Sequence, residues 1–268
     1  MKVAIAQFKT STDKEENLQK AISYIHKSGK EGADFVILPE FFMGLTLGDS
    51  AKRPVDYAEP IDGSFVQQLC SAAKENHVYV IGGIFELSDE DVNRAHNTTV
   101  VINKQGKLLY RYRKTHLCDS FSSKESDTII PGKEAFPIIE TEFGKLGLVV
   151  CYELRFPEVT RQLILNQADF IIVSSAWYNG ILKEDHWEVL LRARAIENTT
   201  FMIAANQTGN IFSGRSMIVD PMGVVVSSTG EEEDLIVTTI DLDRIQRVRN
   251  IVSNMEHRRP ELYGNLIE

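Results

Sequence analysis

GLVVCYELRFPE, residues 147–158, is the stretch of sequence that decides the fold. Its apolar half, together with Leu146, predicts a buried strand, and Pro157 in the first turn of a helical pattern predicts a helix after it. Cys151 stands where the strand ends. Because ligands bind at the carboxyl ends of strands in open α/β sheets, this position suits a nucleophile. A free cysteine often simply packs in a core, and this segment alone leaves that alternative open.

Two further strand ends carry groups that could assist a thiol. FVILPE, residues 35–40, is an apolar strand that ends on Glu40, and YRYRKTHL, residues 110–117, is a strand with a basic end at Lys114. A thiol needs a base to become a thiolate, and Glu40 could be that base. The negative tetrahedral intermediate of acyl transfer needs a fixed positive charge, which Lys114 could supply. Together the three strand ends predict acyl-transfer chemistry.

Four motifs, in this order, resemble those of the nitrilase superfamily, also called carbon–nitrogen hydrolases, over essentially the whole chain. They are LPE at 38–40, YRKTHL at 112–117, CYELRFPE at 151–158, and HWE at 186–188 with RARAIEN at 192–198. The resemblance implies an α/β fold with four layers, an α-β-β-α sandwich, as a single domain over residues 1–268. It also implies a homodimer or a higher homo-oligomer, in which residues 155–166 and 184–198 form the dimer interface and the tail from about Asn250 reaches the partner.

The resemblance implies a role for each of the motif residues. Cys151 is the expected nucleophile and Glu40 the general base. Lys114 is expected to stabilise the oxyanion together with the backbone N–H of Tyr152. The family often has a second glutamate shortly before a Pro-Gly turn, and Glu125 matches that place, where it would orient Lys114 or the substrate amide. No cofactor and no metal has a task in this chemistry.

The flanking sequence resembles the branch of small ω-amidases that act on amides of 2-oxo acids, such as 2-oxoglutaramate. Arg155 could bind a substrate carboxylate through a bidentate pair, or could form a structural ion pair. Trp177 and Tyr178 are expected to line the pocket. The chain departs from these ω-amidases at WYNGIL, residues 177–182, where they carry a threonine-rich turn. An N-carbamoyl amidohydrolase, a deaminated-glutathione amidase and a nitrilase remain alternatives, as does a non-catalytic dimeric binding scaffold.

Composition excludes several other classes of protein. The chain has 268 residues, 43% of them hydrophobic, which is enough for a large core within one domain. No apolar run approaches the roughly 20 residues of a membrane span, and the first residues do not form a secretion signal. The formal net charge of -9 argues against a nucleic-acid partner. These features fit a cytoplasmic protein, and the resemblance to the carbon–nitrogen hydrolases implies a small-molecule amide as its partner.

The three cysteines point to a reducing compartment. Cys70, Cys118 and Cys151 have no close paired spacing, so neither a disulfide framework nor a zinc site is predicted. Cys70 lies in a helical pattern and is expected to pack. Cys118 follows His116 by two residues, but His116 is expected to support the active-site loop rather than to form a catalytic dyad with the thiol.

The remaining patterns predict alternating strands and helices without a linker. Strands are predicted at 3–7, 35–38, 79–87, 98–102, 107–113, 170–175, 201–206 and 235–240, with a hairpin at 216–227. Helices are predicted at 64–76, 157–166 and 184–198, and a first helix is predicted after the capping candidates Ser11, Thr12 and Asp13. Periodicity alone fits two packed sheets or one open sheet.

Overall fold

Two six-stranded sheets form the centre of the computed structural model, which describes residues 1–46, 52–120, 124–134 and 136–263. The strands are β1 (Lys2–Gln7), β2 (Phe35–Ile37), β3 (Tyr79–Leu87), β4 (Ala95–Ile102), β5 (Leu108–Arg113), β6 (Ile138–Thr141), β7 (Gly144–Val150), β8 (Phe170–Ser175), β9 (Phe201–Asn206), β10 (Thr208–Gly209), β11 (Phe212–Ser213), β12 (Met217–Val219), β13 (Val225–Ser228) and β14 (Asp234–Thr239). The helices are α1 (Lys14–Lys30), α2 (Pro54–Tyr57), α3 (Ser64–Asn76), α4 (Pro157–Leu165), α5 (Lys183–Asn198), α6 (Asp243–Arg249) and α7 (Pro260–Tyr263). None of the helices in these ranges is long and apolar enough to cross a membrane.

Each sheet has parallel strands at its centre and antiparallel strands at its edges. The first sheet has the order β14-β1-β2-β3-β4-β5, in which β1, β2 and β3 are parallel. The second has the order β13-β12-β9-β8-β7-β6, in which β7, β8 and β9 are parallel. Helices α1, α3, α4 and α5 lie in the connections between these parallel strands, as a parallel crossover requires.

The order of the layers follows from the alternation of side chains along each strand. Val3 of β1 and Leu148 of β7 belong to one buried core, which lies between the two sheets. Ala4, the next residue of β1, belongs to a second core with Leu18 of α1. Val149 of β7 belongs to a third core with residues of α4 and α5. Each sheet therefore covers its partner with one face and helices with the other, which is the expected α-β-β-α sandwich.

Most predicted elements coincide with the observed ones. β3, β8, β9 and α3 have the predicted bounds, and Asp13 is the residue that caps α1, since its side chain accepts the N–H groups of Glu15 and Glu16. β4 begins at Ala95, three residues before its predicted start. The elements that the patterns missed have only two to seven residues, which is too short for a period to be recognised: α2, α6, α7, β6, β10 and β11.

Candidate active site

The ends of β2, β5, β7 and β8 meet around a cavity of about 300 Å³. The cavity is lined by all eight of the side chains singled out from the sequence, namely Glu40, Lys114, Glu125, Cys151, Tyr152, Arg155, Trp177 and Tyr178. Strands that run in the same direction end at the same edge of a sheet, so runs far apart in sequence deliver their terminal residues to one place. The fold thus brings a carboxylate, an ammonium and a thiol together.

Lys114 lies directly after β5 and is only 2% exposed. Its Nζ donates to Glu40 Oε1 at 3.0 Å and to Glu125 Oε2 at 2.8 Å. Burial by itself would lower the pKa of Lys114, but the carboxylates of Glu125 and Glu40 outweigh burial and raise the pKa well above its usual value. Lys114 is therefore a permanent positive charge, held in one position by two acids.

Glu40 follows β2 and is fully buried. Its Oε1 accepts hydrogen bonds from Lys114 and from Asn97 Nδ2, the latter at 2.8 Å, and its Oε2 accepts the backbone N–H of Ala176 at 2.9 Å. Burial raises the pKa of Glu40, and the nearby Lys114 ammonium offsets part of that rise. A carboxylate with a raised pKa is a stronger base than one in water, which suits the removal of a proton from a thiol.

Glu125 is the second carboxylate that contacts Lys114. It begins a short 3₁₀ segment, and its two oxygens accept from Lys114 Nζ at 2.8 and 3.1 Å. The backbone N–H of Cys118 also donates to Glu125 Oε2, at 2.7 Å. Asn97 of β4 links the two glutamates, because its Nδ2 also reaches Glu125 Oε1 at 3.2 Å. The sequence patterns did not single out Asn97. The signal that could have indicated its role is a polar amide side chain in a strand whose residues are all buried.

Cys151 is the first residue of a 3₁₀ segment, Cys151–Arg155, and lies one position beyond the end of β7. Its φ of 46° is in the left-handed region, which is strained for a residue other than glycine and is frequent at functional sites. Burial raises the pKa of the Cys151 thiol well above its usual value, and the Glu40 carboxylate raises it further, while Lys114 acts in the opposite direction. The resting group is therefore a thiol, which a base would have to deprotonate for Cys151 to act as a nucleophile.

Glu153 fixes the turn that carries Cys151. It is fully buried, and its Oε2 accepts the N–H of Val150 at 2.9 Å. Its Oε1 accepts from Tyr112 Oη at 2.8 Å and from the N–H of Thr115 at 2.8 Å. One carboxylate thus ties the end of β7 in the second sheet to the segment after β5 in the first. The sequence reasoning assigned Glu153 no task, although an acid between apolar neighbours in the motif was a usable signal.

Aromatic rings and Arg155 form one wall of the cavity. The guanidinium carbon of Arg155 lies 4.6 Å from the ring centroid of Trp177 and 5.9 Å from that of Tyr152, within the range of cation–π attraction. Trp177 is 3% exposed, and Tyr178 stacks on Phe212 with ring centroids 5.8 Å apart. The wall therefore presents a cation on a rigid aromatic support.

The remaining sulfur and imidazole groups have different surroundings. All three cysteines are free. Cys118 lines the cavity together with Cys151, whereas Cys70 belongs to α3 and packs against the core between the first sheet and its helices. The ring of His116 lies 4.4 Å from that of Phe156, which follows the turn at Cys151. Among the residues that the structure describes, no group of three or more His, Cys, Asp or Glu side chains is arranged to hold a metal ion.

A comparison with protein families decides between the classes of protein that this geometry allows. The profile of the carbon–nitrogen hydrolases matches residues 2–250, which is nearly the whole chain. The chain belongs to the carbon–nitrogen hydrolase family. Membership makes it an enzyme, which removes the alternative of a non-catalytic scaffold, and it confirms the resemblance to the nitrilase superfamily.

Individual members of the carbon–nitrogen hydrolase family agree with this assignment. The chain is 35% identical over 277 residues to the deaminated glutathione amidase of Bos taurus, covering 98% of this chain and 84% of the relative. It is 33% identical over 275 residues to omega-amidase NIT2 of Mus musculus, covering 98% and 96%. The crystal structure of Saccharomyces cerevisiae Nit3, a member of branch 10 of the nitrilase superfamily, has 32% sequence identity and a TM-score of 0.86, covering 97% and 96%.

Proposed function

We propose that this carbon–nitrogen hydrolase is an amidase that releases ammonia from a small linear amide bearing a carboxylate, through a thioester on Cys151. The observation that carries the proposal is the cavity of about 300 Å³ in which Cys151, Glu40 and Lys114 meet. The Lys114 ammonium lies between two carboxylates there, so the cavity holds a nucleophile, a base and a fixed charge. Those are the three groups that acyl transfer needs.

In the first half of the proposed reaction, Glu40 takes the proton of Cys151 and the sulfur attacks the amide carbon. The carbonyl oxygen becomes an oxyanion, which Lys114 and the backbone N–H of Tyr152 stabilise. Collapse of this intermediate breaks the C–N bond, and Glu40 returns its proton to the leaving nitrogen, so that ammonia departs. Glu125 holds the Lys114 ammonium in place through two contacts of 2.8 and 3.1 Å, which leaves the ammonium oriented before substrate arrives.

In the second half, water takes the place that ammonia has left. Glu40 removes a proton from this water, the hydroxide attacks the thioester carbon, and the same donors hold the second oxyanion. Breakage of the C–S bond releases the carboxylic acid, and the proton on Glu40 returns to the sulfur. The side chains of the chain thus perform every proton transfer, with no group consumed.

The charge of the cavity supports a substrate that carries a carboxylate. Among the described residues that line it are two carboxylates, Glu40 and Glu125, and six cations, Lys52, Arg53, Lys114, Lys124, Arg155 and Lys183. Lys114 lies between the two acids, and Arg53 and Lys124 form ion pairs with Asp56 and Asp127, which do not line the cavity. The lining itself thus carries more cations than carboxylates, which favours an anion by attraction through the cavity. Two relatives whose names denote amidases, the deaminated glutathione amidase and the omega-amidase, lend support to an amide as the substrate.

The test is the rate of C–N bond hydrolysis across a panel of matched compounds, followed as release of ammonia or, for deaminated glutathione, as release of the cysteinylglycine that carries its amide nitrogen. The panel pairs 2-oxoglutaramate with a neutral amide of equal size, and it adds deaminated glutathione, an N-carbamoyl amino acid and an aliphatic nitrile. We expect the highest kcat/KM on 2-oxoglutaramate, whereas a preference for deaminated glutathione would show an amidase whose leaving group is an amine instead of ammonia. A preference for the ureido acid or the nitrile would contradict the amidase assignment, and a preference for the neutral amide would contradict the charge argument.

Substitution of Arg155 by methionine is expected to weaken reaction with carboxylate-bearing amides selectively. The loss in transition-state binding should be about 2–5 kcal/mol, the range for truncating one partner of a buried charge pair. Methionine keeps much of the contact with Trp177, whose ring lies 4.6 Å from the guanidinium carbon. The measurement is kcat/KM of both proteins on the charged and the neutral amide. Equal losses on the two would show that Arg155 has a structural task instead.

We also propose that the enzyme is a homodimer in the cytoplasm and that residues 1–268 form one domain. Large apolar side chains are exposed on α5 and the elements beside it, among them Val189, Ile196, Val224 and Ile251. The start of the tail packs on its own α5, because Asn254 Nδ2 donates to the backbone of Glu197 at 3.1 Å. Residues 264–268, in which a contact with the partner was also predicted, lie outside the described residues. Sedimentation at equilibrium would contradict the dimer if it gave the monomer mass.

A further inference from the structure

Ser175 is the last residue of β8, and its backbone forms hydrogen bonds with residues that follow a strand of each sheet. Its carbonyl oxygen accepts the N–H of Gln207 at 3.0 Å and that of Glu40 at 3.3 Å. The register of β7 with β8 pairs Val150 with Ser174, so Ser175 stands beside the place where Cys151 follows the strand. Backbone pairing therefore puts Ser175 next to both the nucleophile and the base.

The hydroxyl of Ser175 differs from that of its neighbour. Ser174 Oγ donates to the carbonyl of Leu38 at 3.0 Å. Ser175 is 0% exposed, yet its Oγ has no hydrogen bond of good geometry within the part of the chain that the structure describes. Buried hydroxyl groups are normally paired, so an unpaired one beside a reactive group calls for an explanation.

The group near this hydroxyl is the Cys151 sulfur. The Ser175 hydroxyl and the backbone N–H of Ala176 both lower the pKa of the Cys151 thiol, against the larger effects of burial and of Glu40, which raise it. The same Ala176 N–H donates to Glu40 Oε2 at 2.9 Å. Two donors on consecutive residues thus favour negative charge on the Cys151 sulfur.

We propose that Ser175 is a further catalytic residue, whose hydroxyl donates a hydrogen bond to the Cys151 thiolate once Glu40 has taken the proton. A neutral thiol is a weak acceptor, which accounts for the unpaired hydroxyl of the resting site, whereas a thiolate is a strong one. This role rests on the proposed function, in which Cys151 is the nucleophile.

Ser175→Ala tests the proposal, since it removes the hydroxyl with almost no change in volume. The pH dependence of Cys151 alkylation by iodoacetamide, followed by peptide mass spectrometry, reports the fraction of thiolate. Loss of one hydrogen bond to a charged group should move this profile to higher pH by roughly one to two units, which is about 10–100-fold less thiolate at a fixed pH. We also expect kcat to fall by a similar factor while KM changes little.

Two further variants separate this role from a structural one. Ser174→Ala removes a buried hydroxyl that has a partner, so it should lower the melting temperature and leave the alkylation profile unchanged. Ser175→Thr keeps a hydroxyl and should retain the profile of the natural enzyme. An unchanged profile in Ser175→Ala, or an equal shift in Ser174→Ala, would overturn the proposal. If Cys151 is not the nucleophile, the result is different from either of these, because Cys151→Ala would then still release ammonia.

Discussion

Cys151→Ala should abolish the release of ammonia, with a loss of roughly 10⁴–10⁶-fold in kcat, the size expected when a catalytic nucleophile is removed. Each half of the proposed reaction forms or breaks a bond to this sulfur, and Cys118, which also lines the cavity, follows a different strand end. Alanine is the informative replacement. Glycine would also relieve the strain of the left-handed backbone at φ 46° and so would change two properties at once.

The measurement for Cys151→Ala is ammonia release together with the intact mass of the protein during turnover. The natural enzyme should show an added acyl group, which the variant should lack. Cys70→Ala is the control on α3, remote from the cavity, and should keep full activity. Cys118→Ala should keep most of the activity because its backbone N–H, rather than its thiol, donates to Glu125. Substantial turnover in Cys151→Ala would refute the thioester mechanism.

The three strand ends of the site could be predicted because each is recognisable from a few consecutive residues. Apolar runs stop just before Glu40 and Cys151, and a strand with alternating aromatic and basic residues ends just before Lys114. Strands that run in the same direction end at the same edge of each sheet, and the packing of the two sheets brings the two edges together. Resemblance to a family then supplied the roles and the four layers. What local patterns contain was therefore recovered almost completely, including the exact bounds of β8 and β9.

The residues that hold the side chains of the site in position could not be predicted in the same way. Asn97 contacts Glu40 across 57 positions of sequence, and Tyr112 contacts Glu153 across 41. Such pairs depend on how the strands are paired and on how the two sheets face each other, which no local period encodes. Ser175 looks like an ordinary residue of a buried strand until the register places it beside Cys151. The supporting contacts of the site thus become visible only in three dimensions.

The charges around Lys114 depend on one another more closely than the sequence suggests. Lys114 lowers the pKa of Glu40, whereas burial, the larger effect, and Glu125 raise it. Removal of the ammonium leaves two neighbouring carboxylates in a buried place with no cation between them, which favours protonation of one. A base that has become protonated cannot accept the proton of Cys151. In the proposed reaction Lys114 therefore has two tasks, since it would stabilise the oxyanion and would also keep Glu40 ionised.

Lys114→Met should accordingly lower kcat by at least about 10²–10³-fold, the effect of losing one oxyanion donor, with a much smaller change in KM. The second task predicts a change in pH dependence as well. Because the pKa of Glu40 rises when the ammonium is lost, and because only ionised Glu40 can act as base, the residual activity should require a higher pH than in the natural enzyme. The acidic limb of the kcat/KM profile measures this directly.

Lys104→Met is the matched control for this substitution. Lys104 also lies between two carboxylates, at 3.4 Å from Asp34 and 2.6 Å from Glu142, but it does not line the cavity. Both variants lose a cation that bridges two acids. Because the ion pairs of Lys114 are buried, the free energy of unfolding of Lys114→Met should fall by about 3–5 kcal/mol, and that of Lys104→Met should fall less. Thermal melting would record that loss of stability. A Lys114→Met enzyme with natural kcat and only a raised KM would show that the lysine binds substrate instead of stabilising the transition state. An acidic limb that stays in place would separately refute the coupling to Glu40.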